Sequence, residues 1–386
     1  MGSDATNLKH VKVVIMERYI TIRQPQHVQI GSGSAAQIGL WAADAQKVLV
    51  LTSKSTALLV EHLQLKQSAE IYSYVPAEPD DYALQAALEH AALHRPDVII
   101  GLGGGSVMDI AKLVSVMWGG SQRLEEIIGA DKVLKRFSKL ALIPTTAGTG
   151  SEAGIRALVT NSKTQAKMAV ESRLMCADLA ILDPDLTLSV SPSLTAFTGI
   201  DAMAHCVEAF TNIRSHQMID GYARMGFSAV GKYLGRVVAD KSDSQARLGM
   251  MLASYYGGIC LGPVNTAAGH ALAYPLGTKL KLAHGLANAL MFPHVLGFNQ
   301  PVCPDKTNEV LSALGGTKTE NSASAHKQAY DFCESLSIDM NLSNYGAQAS
   351  HLRAWAEEAF AIRRLMDNNP REMTVDDIEQ IYQNAL

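Results

Sequence analysis

The first half of the chain alternates short apolar runs with amphipathic stretches. Val48-Leu49-Val50-Leu51, Val98–Leu102 and Leu140–Ile143 read as buried strands, while Ala57–Leu65, Ala83–Leu93 and Val107–Met117 carry one apolar face each. That alternation predicts a parallel sheet covered by helices. From about Pro184 onward the texture changes. Leu194–Phe210 (entered through Ser191-Pro192), Asp220–Val238, Ser244–Ile259 and Asn288–Leu296 have helical patterns, and strand-like runs almost vanish. The turn signal Asp183-Pro184-Asp185 is the expected boundary between an α/β domain over 1–184 and an all-helical domain over 185–386.

Length agrees with two domains, since 386 residues exceed the size at which one core stops growing. The 33 basic residues nearly balance the 37 acidic ones, and no block of like charge stands out, which argues against nucleic acid as a partner. Apolar runs fall far short of the ~20 residues that span a bilayer. The N-terminus lacks the apolar core and cleavage site of a secretory signal, so the cytoplasm is the expected compartment. Five cysteines form neither an even framework nor a Cys-x-x-Cys pair and are expected to be reduced and mostly buried.

Chemistry concentrates in three places. Asp97-Val-Ile-Ile-Gly-Leu-Gly-Gly-Gly-Ser-Val-Met-Asp109 reads as strand, glycine loop and helix, with Ser106 placed as N-cap and Asp109 completing a capping box. Such a turn lets backbone N–H groups approach a pyrophosphate at the positive end of the helix. Leu142-Ile-Pro-Thr-Thr-Ala-Gly-Thr-Gly-Ser-Glu152 follows another apolar strand and gathers hydroxyls on a second phosphate-suited loop. In the helical half, Asp201 and His205 are separated by four and share a helix face, and His270 and His284 follow downstream. One carboxylate with three imidazoles suits a first-row divalent ion.

Four motifs carry a resemblance: Gly-Gly-Gly-Ser-x-x-Asp at 103–109, Pro-Thr-Thr-Ala-Gly-Thr-Gly-Ser-Glu at 144–152, Asp-Ala-x-x-His at 201–205 and the segment 270–288. In this order they resemble the iron-dependent (group III) alcohol dehydrogenases, which share the dehydroquinate synthase-like architecture. The resemblance implies a Rossmann-like N-terminal domain and a helical domain whose Asp201, His205, His270 and His284 hold Fe²⁺, or Zn²⁺ in some relatives. It further implies NAD or NADP contacts from Gly104, Gly105, Ser106, Asp109, Thr145, Thr146, Thr149 and Lys167, a small alcohol or aldehyde as substrate, and a homo-oligomer. A non-catalytic metal- or nucleotide-binding scaffold is the alternative from another class.

Three positions depart from the family pattern. Tyr274 stands where many members carry a further histidine, and is expected either to line the substrate pocket as a hydrogen-bonding group or to serve packing alone. Ser53 replaces the aspartate that NAD-preferring relatives place against the adenosine ribose, and with Lys54 beside it a 2′-phosphate is not repelled. Arg156 replaces a neutral residue near the reacting centre. It implies either selection of an anionic aldehyde (carboxylated, sulfonated or phosphonated) or a salt bridge to an acid elsewhere. His10, His27, His62, His90, His94, His216 and His294 receive no chemical role.

Overall fold

The computed structural model describes residues 18–386, so His10 lies outside the described residues. Among these the strands are, in chain order, β1 (His27–Ile30), β2 (Val48–Leu51), β3 (Ala69–Tyr72), β4 (Val98–Gly103), β5 (Gly129–Ala130), β6 (Lys139–Pro144), β7 (Arg156–Thr160), β8 (Lys167–Glu171) and β9 (Leu179–Leu182). Six of them form a parallel sheet in the order β1-β9-β6-β4-β2-β3. Every residue of β2 and β4 is buried, which is why both read as unbroken apolar runs instead of alternating ones. The two faces serve different cores. Leu49, Leu51, Ile99, Leu140 and Leu142 pack with the helices Asp81–His94 and Gly105–Met117. Val48, Val50, Val98, Ile100, Ala141 and Ile143 pack on the opposite side with Ile38 and Leu63.

The connection from β2 runs outward to β3, whereas that from β4 runs the other way to β6. The crevice beyond the carboxyl ends of β2 and β4 is therefore the topological switch point, where open α/β sheets bind ligands. A smaller sheet, β5-β8-β7, was not anticipated from the sequence. Its antiparallel β7–β8 pair mixes charged, polar and apolar residues and is only partly buried, so its apolar signal is weak.

Beyond Leu182 no strand occurs among the described residues. Helices Pro192–Thr211, Gln217–Ala239, Ser244–Leu261, Ala268–Lys279 and His284–Asn299 surround a continuous core that includes Phe210, Phe227, Leu272 and Leu290. Ser191 and Asp243 cap two of them, their side chains accepting from the N–H groups of Leu194 and Ala246. The helix expected over Asn288–Leu296 begins at His284, and Ala268–Lys279 is helical despite Pro275. No helix among the described residues is long and apolar enough to cross a membrane. All five cysteines are free, and Cys206 is fully buried in the helical core.

Among the contacts between the halves is a close approach of two glycines. Gly150 has φ +60°, and a Cβ on Gly258 would lie 2.1 Å from the Gly150 carbonyl oxygen. Gly258→Ala is accordingly expected to cost about 1–3 kcal/mol, because backbone must move to admit one methyl group. Thermal unfolding should show a lowered Tm. An unchanged Tm would mean that this contact is looser than described.

Candidate active site

The first long helix of the C-terminal half presents Asp201 and His205 one turn apart, and the helices Ala268–Lys279 and His284–Asn299 bring His270 and His284 to the same point. One potential ligand atom from each of the four lies within 4.8 Å of the others. The Nε2 atoms of His205, His270 and His284 stand 3.9, 3.6 and 3.6 Å from Asp201 Oδ1. Asn288, four residues into its helix, donates to Asp201 Oδ1 at 2.7 Å and holds the carboxylate toward the imidazoles.

Two contacts behind the cluster orient the rings. Glu208 Oε1 is 2.6 Å from His270 Nδ1, and its other oxygen accepts from the Ala267 N–H. His205 Nδ1 lies 3.3 Å from the Gly148 carbonyl oxygen. An N–H on each Nδ1 leaves the Nε2 lone pair directed into the cluster, the tautomer that a metal ligand requires. His270 Nε2 is buried and has no hydrogen-bond partner. An unpaired buried acceptor costs roughly 1–3 kcal/mol, and an ion satisfies it. The donor set and this orphaned atom therefore fit a divalent metal.

Electrostatics follow the same geometry. Burial opposes charge on Asp201, yet the facing histidines hold its carboxyl well below the usual range. His205 is lowered to about 4, chiefly by burial. His284 is lowered by burial too, against the pull of Asp201. His270 goes the other way, to about 10, because Glu208 and Asp201 outweigh its burial.

The glycine turn lines the opposite wall. Gly105, Ser106, Asp109 and Thr149 share a cavity of about 180 Å³ with Asp201, His205, His270 and His284. Ser106 does not cap its helix: Gly104 is the N-cap, with no side-chain cap bond, and Ser106 Oγ accepts from the Glu78 N–H at 3.1 Å. The expected capping box is corrected accordingly, and the helix start stays free for an anion. A Cβ at Gly105 would fall 2.7 Å from Thr149 Cγ2, and one at Gly104 would be 3.3 Å from Thr146 Oγ1, so glycine permits the approach of the two loops. Thr145 is buried, its N–H donating to the Gly103 carbonyl.

Asp109 turns inward instead of reaching the N-cap. Its carboxylate accepts from Ser151 Oγ at 2.6 Å and from the Leu158 N–H at 2.9 Å, and lies 3.8 Å from Lys112 Nζ. Lys112 was not singled out in the sequence, although it follows Asp109 by three. Fully buried, it donates to Ser151 Oγ and to the Arg156 carbonyl, tying the first glycine turn to the second loop and to β7. Ser53 stands apart from this cavity, in the loop after β2, with its Oγ 2.7 Å from Thr56 Oγ1.

Arg156 lines the cavity, but its charge is taken. Its Nε and Nη2 are each 2.7 Å from Glu171 Oε1, and Nη1 donates to Asn265 Oδ1 at 2.8 Å. Of its two readings, the salt bridge is the one the structure contains. Lys167 is likewise paired, with Glu78. Tyr274 lines the cavity half-buried, its ring centroid 6.2 Å from that of His284 and its hydroxyl 3.3 Å from Arg364 Nη2. Glu208, Asn288 and Lys112 are the site residues that the sequence alone did not reveal. Glu208 carried a signal, standing seven residues after Asp201 on the same helix face.

The chain is similar to known proteins along most of its length. Residues 25–184 match the family described as "Iron-containing alcohol dehydrogenase", and 195–386 the one described as "Fe-containing alcohol dehydrogenase family, C-terminal". The chain is 34% identical to a long-chain-alcohol dehydrogenase 1 from Geobacillus thermodenitrificans over 327 residues, 83% of this chain and 82% of that protein. It is 33% identical to a sulfoacetaldehyde reductase from Bilophila wadsworthia over 316 residues, 80% and 82% of the two. An alcohol dehydrogenase structure from Oenococcus oeni superposes with a TM-score of 0.90 at 25% identity, covering 95% of this chain and all of that one. Sequence, fold and relatives together make the chain a member of the iron-containing alcohol dehydrogenase family of oxidoreductases.

Proposed function

We propose that this protein is a metal-dependent, NAD(P)-linked alcohol dehydrogenase or aldehyde reductase acting on a small alcohol or aldehyde. Of the described residues, those up to 184 would form its dinucleotide domain and 185–386 its metal-binding domain. One observation carries the reading: the unpartnered, buried His270 Nε2 belongs to a four-ligand cluster in the cavity that the glycine turn also lines. Asp201, His205, His270 and His284 would hold Fe²⁺, or Zn²⁺, which supplies Lewis acidity toward a substrate oxygen. Gly104, Gly105, Ser106, Thr146 and Thr149 would cradle the dinucleotide, whose nicotinamide supplies or accepts the hydride.

The remaining work falls to fixed protein groups. Glu208 and the Gly148 carbonyl set the tautomers, Asn288 orients Asp201, and Lys112 with Asp109 locks the two loops together. Tyr274 borders the cavity with a hydroxyl available to a substrate oxygen, which supports a hydrogen-bonding part for it. Oxidation of NADH or NADPH by the Fe²⁺-loaded protein, with a panel of short aldehydes, tests the proposal. Absence of aldehyde-dependent oxidation across the panel would refute it.

Cofactor choice depends on Ser53. The residues after β2 are Thr52, Ser53, Lys54, Ser55 and Thr56, and none bears a negative charge. NADPH is therefore expected to be used within about tenfold of NADH in kcat/KM, a difference of roughly 1.4 kcal/mol. Ser53→Asp should shift preference toward NADH. Rejection of NADPH by the wild-type protein over several orders of magnitude would assign ribose recognition to another group.

A further inference from the structure

Beyond Tyr274 the cavity opens into a second chamber of about 490 Å³, lined by Tyr274, His284, Thr278, Lys281, Glu358 and Arg364 among others. Its charges do not cancel. Of its acids, Glu358 is paired with Lys279 at 2.9 Å and Glu78 with Lys167. Two cations remain without an ion pair among the described residues, Lys281 and Arg364. Arg364 makes one side-chain hydrogen bond there, from Nη2 to the Tyr274 hydroxyl, and its Cζ lies 5.7 Å from the centroid of that ring. Most of its five N–H donors are uncommitted, in the fork geometry that suits a carboxylate or sulfonate.

We propose that this chamber is the subsite for the anionic end of a short aldehyde, with Arg364, supported by Lys281, as the specificity-determining cation. The inference rests on the oxidoreductase reading above and names the substrate class for it. The placement sets the scale: the Tyr274 ring centroid lies 6.2 Å from that of His284 and 5.7 Å from Arg364 Cζ, so the histidine cluster and Arg364 both neighbour one tyrosine ring. It also sets two arginines apart. Arg156 is neutralised by Glu171 and also donates to Asn265, whereas Arg364 has no acid. A cofactor phosphate is not the anion concerned, because Gly104, Gly105, Ser106 and Thr149 do not line this chamber.

The test uses the metal-loaded full chain with two length-matched pairs, succinic semialdehyde against butanal and sulfoacetaldehyde against propanal. The wild-type protein should favour the anionic member of at least one pair. Arg364→Ala should lower kcat/KM for that member by about ten- to a hundredfold, mainly through KM, and change the neutral member less than about threefold. Arg364→Lys should recover part of the loss. Since Arg364 is exposed, the preference should also shrink as salt rises. Equal effects of Arg364→Ala on both members, or no wild-type preference in either pair, would overturn the inference while leaving the oxidoreductase reading intact. If no aldehyde is reduced, the oxidoreductase reading fails, and calorimetry with gamma-hydroxybutyrate judges the chamber by itself. Binding that is lost in Arg364→Ala supports an anion site, and absent binding to the wild-type protein overturns it.

Discussion

Alanine at His270 is expected to reduce turnover by about a thousandfold or more and to bring metal content to background, with helicity unchanged. That loss corresponds to the several kcal/mol that a bound ion contributes to a charged transition state. The substitution removes the ligand atom with no alternative partner, and it leaves Glu208 buried without the imidazole it faces. Metal analysis, far-UV circular dichroism and kcat on one preparation check this. A variant that keeps both metal and turnover would remove His270 from the site.

Glu208 should matter almost as much without touching the ion. Its carboxylate fixes the His270 tautomer and accepts from the Ala267 N–H, so it places both the ring and the start of the helix Ala268–Lys279. Glu208→Gln keeps the shape and loses the charge, and should weaken metal binding by about tenfold; Glu208→Ala should approach a hundredfold. Competition against a metal-sensing chelator gives these affinities directly. If both variants bind metal as tightly as the wild type, the His270–Glu208 contact does not orient the site.

How much of this was legible in the sequence depends on how locally each feature is determined. Asp201 and His205 are one helical turn apart, so their shared direction follows from periodicity, and the fully buried strands β2 and β4 announce themselves as unbroken apolar runs. The Ser106 cap failed because the helix begins at Gly105, which places Ser106 inside the first turn where its hydroxyl meets the Glu78 N–H. The partner of Arg156 was not visible in the sequence because Glu171 arrives through the β7–β8 register, which pairs the two residues across a hairpin of weak apolar signal. The Glu208–His270 contact joins residues 62 apart, and that between Arg364 and Tyr274 residues 90 apart. No local pattern encodes such pairs; they exist only once the helices have packed.

The metal cluster in the shared cavity is the centre of the proposed chemistry. Its most direct test strips the protein with a chelator, reloads it anaerobically with increasing Fe²⁺, and follows butanal-dependent oxidation of NADH or NADPH. Activity should disappear on stripping and return in proportion to metal until one ion per chain is bound. Full turnover by the stripped protein would contradict it.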